Sequence, residues 1–284
     1  MFAISKGIRT PVGAGAGPGT RLRWLAAPAV LFIVVLMFAA ACAPLLAPHD
    51  PLEMNKADPL ARPSRSFPLG ADQFGRDIMS RLLYGSRTAL AIGFGSTIAA
   101  ACLGVPLGLW AGYAGGTIDT LIMRVVDTLL AIPAVLLAMA LVAMTGRGSV
   151  NAAVAVAVVA LPQFARIARA GTLTEKAMEY VEAAIAAGIG DARLLFRTIL
   201  PNVLSPLLVQ IPIAVSRAIL LEASLSFLGL GTQPPESSWG LMIRESRDYM
   251  YTAPLYGVFP GMAIVLSVLA LNALSDRARG AWRA

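Results

Sequence analysis

The chain has 284 residues, of which 57% are hydrophobic and 14% charged, and its mean hydropathy is +0.71. A soluble domain carries about 25% charged residues, so a water-soluble single domain is excluded. A net charge of +7 does not point to nucleic acid, because Lys and Arg punctuate apolar runs instead of clustering on one face or tail.

Residues 1–22, rich in Gly, Ala and Pro with Lys6 and Arg9, bury little and are expected to form a flexible tail. The uncharged run 24–47 follows Arg21 and Arg23. It is too long for a signal peptide core of about 7 to 15 residues and suits a first transmembrane helix over 23–47. The lone His49 lies in the Pro-rich stretch 47–51, where it is expected to be solvated. Cys42 and Cys102 lie among Ala and Leu and read as small buried apolar residues, not as a disulfide or metal pair.

Residues 48–86 alternate Pro, Gly and charge, and are expected to form a small ordered extracytoplasmic element. Further charge-free runs cover 88–118, 128–146, 148–165 and 249–275, giving the second, third, fourth and sixth spans. The fifth joins 202–216 to 223–230 across Arg217 and Glu222. The second run ends in the helix-breaking Gly112-Tyr113-Ala114-Gly115-Gly116. Prolines 106, 133, 162, 206 and 212 inside apolar runs call for a packed bundle that satisfies the carbonyls they free. With the N-terminus cytoplasmic, 13 Lys and Arg fall inside and nine outside, six of the nine between the first two spans. That bias sets the orientation. It also places the hydrophilic stretch 166–200 in the cytoplasm.

Charges within spans are functional candidates by default. Arg124 and Asp127 are three residues apart and are expected to pair on one helix. Arg217 and Glu222 are five apart, on different faces, and are candidates for lining a translocation path. Glycines 93, 95, 104 and 108 form a small-residue face for close helix contact. Trp110, Tyr113, Trp239, Tyr249, Tyr251 and Tyr256 fall near span ends, where interfacial preference accounts for them.

Within the cytoplasmic stretch, Tyr180-Val181-Glu182-Ala183-Ala184-Ile185-Ala186-Ala187-Gly188 predicts a short Ala-rich helix near 179–190. Gly188 ends it through positive φ. Pro201 suits the first turn of the next helix. On spacing alone the segment reads equally as an amphipathic connector on the inner leaflet. The pattern Glu182-Ala183-Ala184, Gly188 and Leu200-Pro201, with Thr198 where an isoleucine is expected, resembles the EAA signature of bacterial ABC importer permeases. Residues 68–77 with Ser80-Arg81 and Tyr84-Gly85, then Gly112-Tyr113, Met123-Arg124 with Asp127, 225–231, Pro234-Pro235 and Trp239-Gly240, resemble the C-type permease subunits of dipeptide, oligopeptide and nickel importers. Phe67 stands where that family often has histidine, and 272–277 departs from its usual tail.

The resemblance implies an all-α integral membrane protein with the ABC importer type I permease fold. It carries about six transmembrane helices, with both termini cytoplasmic. Residues 87–275 form the core, a cytoplasmic EAA loop lies near 171–200, and a tail follows at 276–284. It implies coupling to ATPases through Tyr180, Glu182, Ala183, Ala184, Gly188, Leu200 and Pro201. The implied partners are a second homologous permease, two ATP-binding cassette subunits and an extracytoplasmic solute-binding protein, in a bacterial inner membrane. No Gly-x-x-x-x-Gly-Lys-Ser/Thr loop is present, so ATP and Mg belong to the partners and this chain carries no catalytic residue, metal or cofactor. A self-contained ion-driven carrier is the alternative, although no internal repeat supports it. A membrane-embedded enzyme lacks the clustered His, Cys or carboxylates it needs.

Overall fold

The computed structural model describes residues 26–281. The expected tail at 1–22, with Lys6, Arg9 and Arg21, lies outside the described residues, as do residues 23–25 of the first span, with Arg23, and residues 282–284 of the other tail. Every regular element among the described residues is a helix, with one isolated β-bridge between Ala71 and Asp77.

The first apolar run forms α1 (Ala26–Ala41) and the one-turn α2 (Ala43–Leu46). Pro44 lies in the first turn of α2, a position where its missing N–H costs nothing. Next come α3 (Ile78–Ala114), α4 (Gly116–Ala131), α5 (Ala134–Thr145) and α6 (Ser149–Lys176). The chain continues through α7 (Glu179–Ala186), α8 (Asp191–Arg193), a π turn at Leu194–Ile199 and α9 (Leu200–Phe227). It ends with α10 (Trp239–Ser246), a 3₁₀ turn at Arg247–Tyr249, and α11 (Pro254–Ala281). Four continuous helices are long and apolar enough to cross a membrane: α3, α6, the run Asp191–Phe227, and α11. The pair α4 and α5 passes the same test only as a bent unit. The apolar α1 spans 16 residues, about 24 Å at 1.5 Å per residue.

The third span is therefore not one straight helix. Its axis turns through 98° between α4 and α5. Proline disfavours the helical conformation of the residue before it, and Ile132, preceding Pro133, is extended at φ −89° and ψ 130°. Pro201 lies in the first turn of α9, as expected, but α9 does not start from a loop. The chain is already helical from Asp191, and the Leu200 N–H donates to the Leu195 carbonyl, five residues back.

The central contact is between α3 and α6. Gly104, Gly108 and Gly112 recur every four residues on α3, placing them on one face. A Cβ at Gly104 would stand 2.6 Å from the Leu161 carbonyl oxygen, and one at Gly108 would stand 2.1 Å from that of Ala165. A side chain at either site would force the backbones apart. Gly95, grouped with them above, meets nothing within 4 Å. Helix α9 then packs on α3, α6 and α11, while α1 lies on α11 and α3.

Residues 47–77 form an ordered cap at the N-terminal end of α3, held by buried charges. Asp72 Oδ2 accepts from Arg76 Nε and Arg81 Nη1, each at 2.6 Å, while its Oδ1 accepts from the backbone N–H groups of Phe74 and Arg76. Glu245, on α10, lies 2.7 Å from Arg81 Nη1 and 3.3 Å from Arg76 Nη2, and accepts from the Tyr256 hydroxyl at 2.8 Å. Two acids thus balance two bases and join the cap to α3, α10 and α11. Asp77 caps α3 by accepting from the N–H groups of Met79 and Ser80.

Several expectations change here. His49 is half-buried: its ring stacks on Phe67 at 4.6 Å and its backbone N–H donates to Ser80 Oγ. The cap folds over it, so it is not simply solvated. Trp239 and Tyr256 are not interfacial rings. Both are buried, because α10 tucks between α9 and α11, and Trp239 Nε1 donates to the Leu82 carbonyl. Cys102 is exposed on α3, whereas Cys42 is partly buried.

Gly108→Ala is expected to destabilise the protein by about 1–3 kcal/mol through overpacking, whereas Gly95→Ala leaves it no less stable. Thermal unfolding in detergent, followed by fluorescence-detected size exclusion, distinguishes them. Equal melting temperatures would refute the close-approach account.

Candidate functional site

Two features of the bundle are candidates for functional chemistry, one at its end and one deeper within it. The first is α7, at the end where α3 and α6 finish. Met178 enters it in extended conformation, and Glu179 and Glu182 occupy its first turn, where carboxylates complement the helix dipole. Gly188 follows at φ +76°, the left-handed conformation expected of it. Tyr180, Glu182, Ala183, Ala184 and Gly188 therefore share one short helix and its terminal turn. Leu200 and Pro201 do not. They begin α9, where Leu200 packs against the core.

One apolar side chain anchors α7. Val181 is fully buried, in a cluster with Leu109, Phe164, Leu194, Ile199 and Val203, which joins α3, α6 and α9 beneath it. Polar contacts hold the flanks. The Tyr180 hydroxyl donates to the Glu175 carboxylate and accepts from Asn202 Nδ2 at 2.9 Å, tying α7 to α6 and α9. The bond to that carboxylate holds the Tyr180 hydroxyl above the ordinary phenol range. Nearby, the Tyr113 hydroxyl donates to Asp191 Oδ1 at 2.5 Å, and Lys176 Nζ donates to the Tyr113 carbonyl at 2.7 Å. The outward surface of α7 keeps Glu182, Ala183, Ile185 and Ala186 exposed. A small-residue face of this kind lets a partner approach the backbone closely. Asn202, Glu175 and Val181 were not singled out in the sequence, although Asn202 directly follows Leu200-Pro201.

The second feature is a cleft of about 440 Å³ between the bent pair, α6 and α9. Its walls are mostly apolar, and its polar members are Gln163, Gln210, Arg217 and Ser224. Gln163 Oε1 accepts from Gln210 Nε2 at 2.8 Å and from Arg217 Nη1 at 3.1 Å. Arg217 thus stands at an open cleft. Glu222 does not. It is 1% exposed and faces the interior, where its Oε1 accepts from Ser226 Oγ and Thr232 Oγ1. Its contacts brace the turn that follows α9, so it does not line a path within this chain.

The expected pair of Arg124 and Asp127 is also corrected. Asp127 Oδ1 lies 2.6 Å from Arg166 Nη2 of α6, and among the described residues no ion pair joins Arg124 to Asp127. The packing of α4 on α6 decides the partner, and Asp119 with Arg169 makes a second, two-bonded link between the same helices.

A bundle of membrane-length helices, one sharply bent, with a braced external helix at one end and a cleft carrying a few polar groups, defines a multi-pass membrane protein. The family model for binding-protein-dependent transport system inner membrane components matches residues 104–281, and the chain belongs to that family. It is a permease subunit of the bacterial inner membrane, which sets aside the ion-driven carrier.

The di/tripeptide transport system permease DppC of Pseudomonas aeruginosa is 43% identical over 258 residues, covering 89% of this chain and 85% of the relative. The glutathione transport system permease GsiD of Pectobacterium atrosepticum is 44% identical over 258 residues, covering 90% and 86%. An inward-facing structure of the MetNI methionine ABC transporter superposes with a TM-score of 0.59 at 21% identity, over 72% of this chain and 97% of that one. That likeness concerns the fold.

Val181→Asp is expected to release α7 from its seat, because it buries an unpaired charge in an apolar cluster. Limited proteolysis of membranes should then show new cleavage within residues 177–190, with Val181→Ala nearly unchanged. A cleavage pattern the same as wild type in Val181→Asp would remove Val181 as the anchor.

Proposed function

We propose that this chain forms half of the translocation path of an ATP-driven importer of peptides or peptide-like solutes, and that α7 is its seat for an ATPase subunit. The braced, small-residue face of α7 is the observation that carries the reading. A helix that transmits force needs a rigid footing, and Val181 and Tyr180 tie this one to three spanning helices. The solute class follows from relatives that are dipeptide and glutathione permeases at over 40% identity.

In this reading Glu182, Ala183, Ala184 and Gly188 meet the ATPase. Tyr180, Leu200 and Pro201 act one step behind them, in the footing. ATP and Mg are held by two ATPase subunits, the path is shared with a second permease, and a solute-binding protein delivers cargo to the opposite side. The α7 end then faces the cytoplasm, and the cap of residues 47–77 faces outward. Residues 87–275 form the transport core, and the C-terminal tail at 276–284 is cytoplasmic.

Glu182→Lys reverses the charge on the exposed side of α7. It is expected to abolish most solute-stimulated ATPase activity of the assembled complex while leaving the subunit inserted, as measured by phosphate release in proteoliposomes. Stimulation at the wild-type level would count against docking through α7. The orientation has its own test: a cysteine replacing Ser64 in the cap should react with an impermeant maleimide from outside the cell, and labelling only from the cytoplasmic side would invert the topology.

A further inference from the structure

Arg217 is the charged member of the cleft, and its surroundings are unusual for a cation on a helix long and apolar enough to span a membrane. It lies ten residues before the end of α9 at Phe227, about 15 Å along the axis. Among the described residues no carboxylate comes within 4 Å of it, and its one hydrogen bond goes to Gln163 Oε1. Arg217 is exposed along the cleft, whereas Arg76, Arg81 and Arg169 each meet a carboxylate. The cleft around Arg217 has room for a ligand and opens to one side, with Leu129, Val156 and Leu221 among its apolar walls.

We propose that Arg217 receives the carboxylate of the transported solute half-way across the membrane, with Gln163 and Gln210 as positioning residues. The proposal rests on the importer reading above and names the chemistry of its path. A guanidinium presents several N–H donors in a plane and matches a carboxylate two bonds at a time. Gln163 occupies one of these donors with a neutral oxygen, which orients the group without cancelling its charge. Gln210 donates to the same oxygen and so fixes the carboxamide. Apolar walls then accept the side chain of the residue bearing the carboxylate. A volume of about 440 Å³ falls within the range of small-molecule pockets. A single charge contact in an open cleft also binds loosely enough to let the solute leave, as conduction requires.

The test uses the complete transporter in proteoliposomes with its loaded binding protein. Uptake of a labelled dipeptide is compared with uptake of the same dipeptide amidated at its C-terminus, for wild type, Arg217→Lys and Arg217→Gln. The ratio of the two uptakes in each variant is divided by the wild-type ratio, which cancels any preference of the binding protein. In Arg217→Gln, uptake of the free acid should fall by about tenfold, the loss of one charge-assisted contact, while uptake of the amide changes less than twofold. Arg217→Lys should restore most of the difference, and Gln163→Leu should raise the KM for the free acid alone. An unchanged ratio in Arg217→Gln overturns the proposal. So does an equal loss of both uptakes with reduced recovery of the second permease, since that would make Arg217 an interface ion pair. Wild-type vesicles that import neither dipeptide would instead overturn the peptide reading itself.

Discussion

The distance between α3 and α6 is the constraint on which the rest of the molecule depends. Lipid offers no hydrophobic drive for two apolar helices to associate, so they must gain contact by approaching closely. Gly104 and Gly108 allow this, leaving the carbonyls of Leu161 and Ala165 where a side chain would otherwise stand. Both ends of the bundle hang from this spine. At one end Asp77 caps α3 and Arg81 of α3 holds the cap. At the other, the chain leaves α3 through Tyr113 and leaves α6 through Lys176, and these two residues bond to each other beside the α7 footing.

Charge is handled in three ways along the bundle. In the cap, Asp72 and Glu245 balance Arg76 and Arg81 in a buried cluster, where removing one member leaves an uncompensated charge costing about 3–5 kcal/mol. At the α7 end, Asp119 and Asp127 pair with Arg169 and Arg166 on partly exposed surfaces, where such pairs contribute about 0–1 kcal/mol each. In the middle, Arg217 is left to neutral amides. The first arrangement fixes architecture, the second aligns α4 with α6, and the third keeps a charge available.

Span positions were legible because the length of an uncharged run reports directly on membrane crossing. The short helix α7 was legible too, since an Ala-rich segment closed by Gly188 favours a helix with a left-handed end. What the run length does not report is direction within the membrane. The 98° bend was written in Ile132-Pro133, but counting apolar residues passes over it. Spacing along one helix misassigned Asp127, whose partner lies 39 residues away on α6. Trp239 and Tyr256 sat near span ends in sequence, yet the tucked α10 buries both. Gln163 and Gln210 were overlooked because only charges were weighed, although a carboxamide deep in an apolar run is itself informative.

The π turn at Leu194–Ile199 sits between the α7 segment and the spanning length of α9, and Pro201 follows it without an N–H to lend to the ladder. Such a turn holds one residue more than an α turn. Handing that surplus residue along the helix would twist everything upstream by about 100° and draw it along by about 1.5 Å. The connection from α7 to α9 thus carries one residue to spare at the foot of the spanning helix.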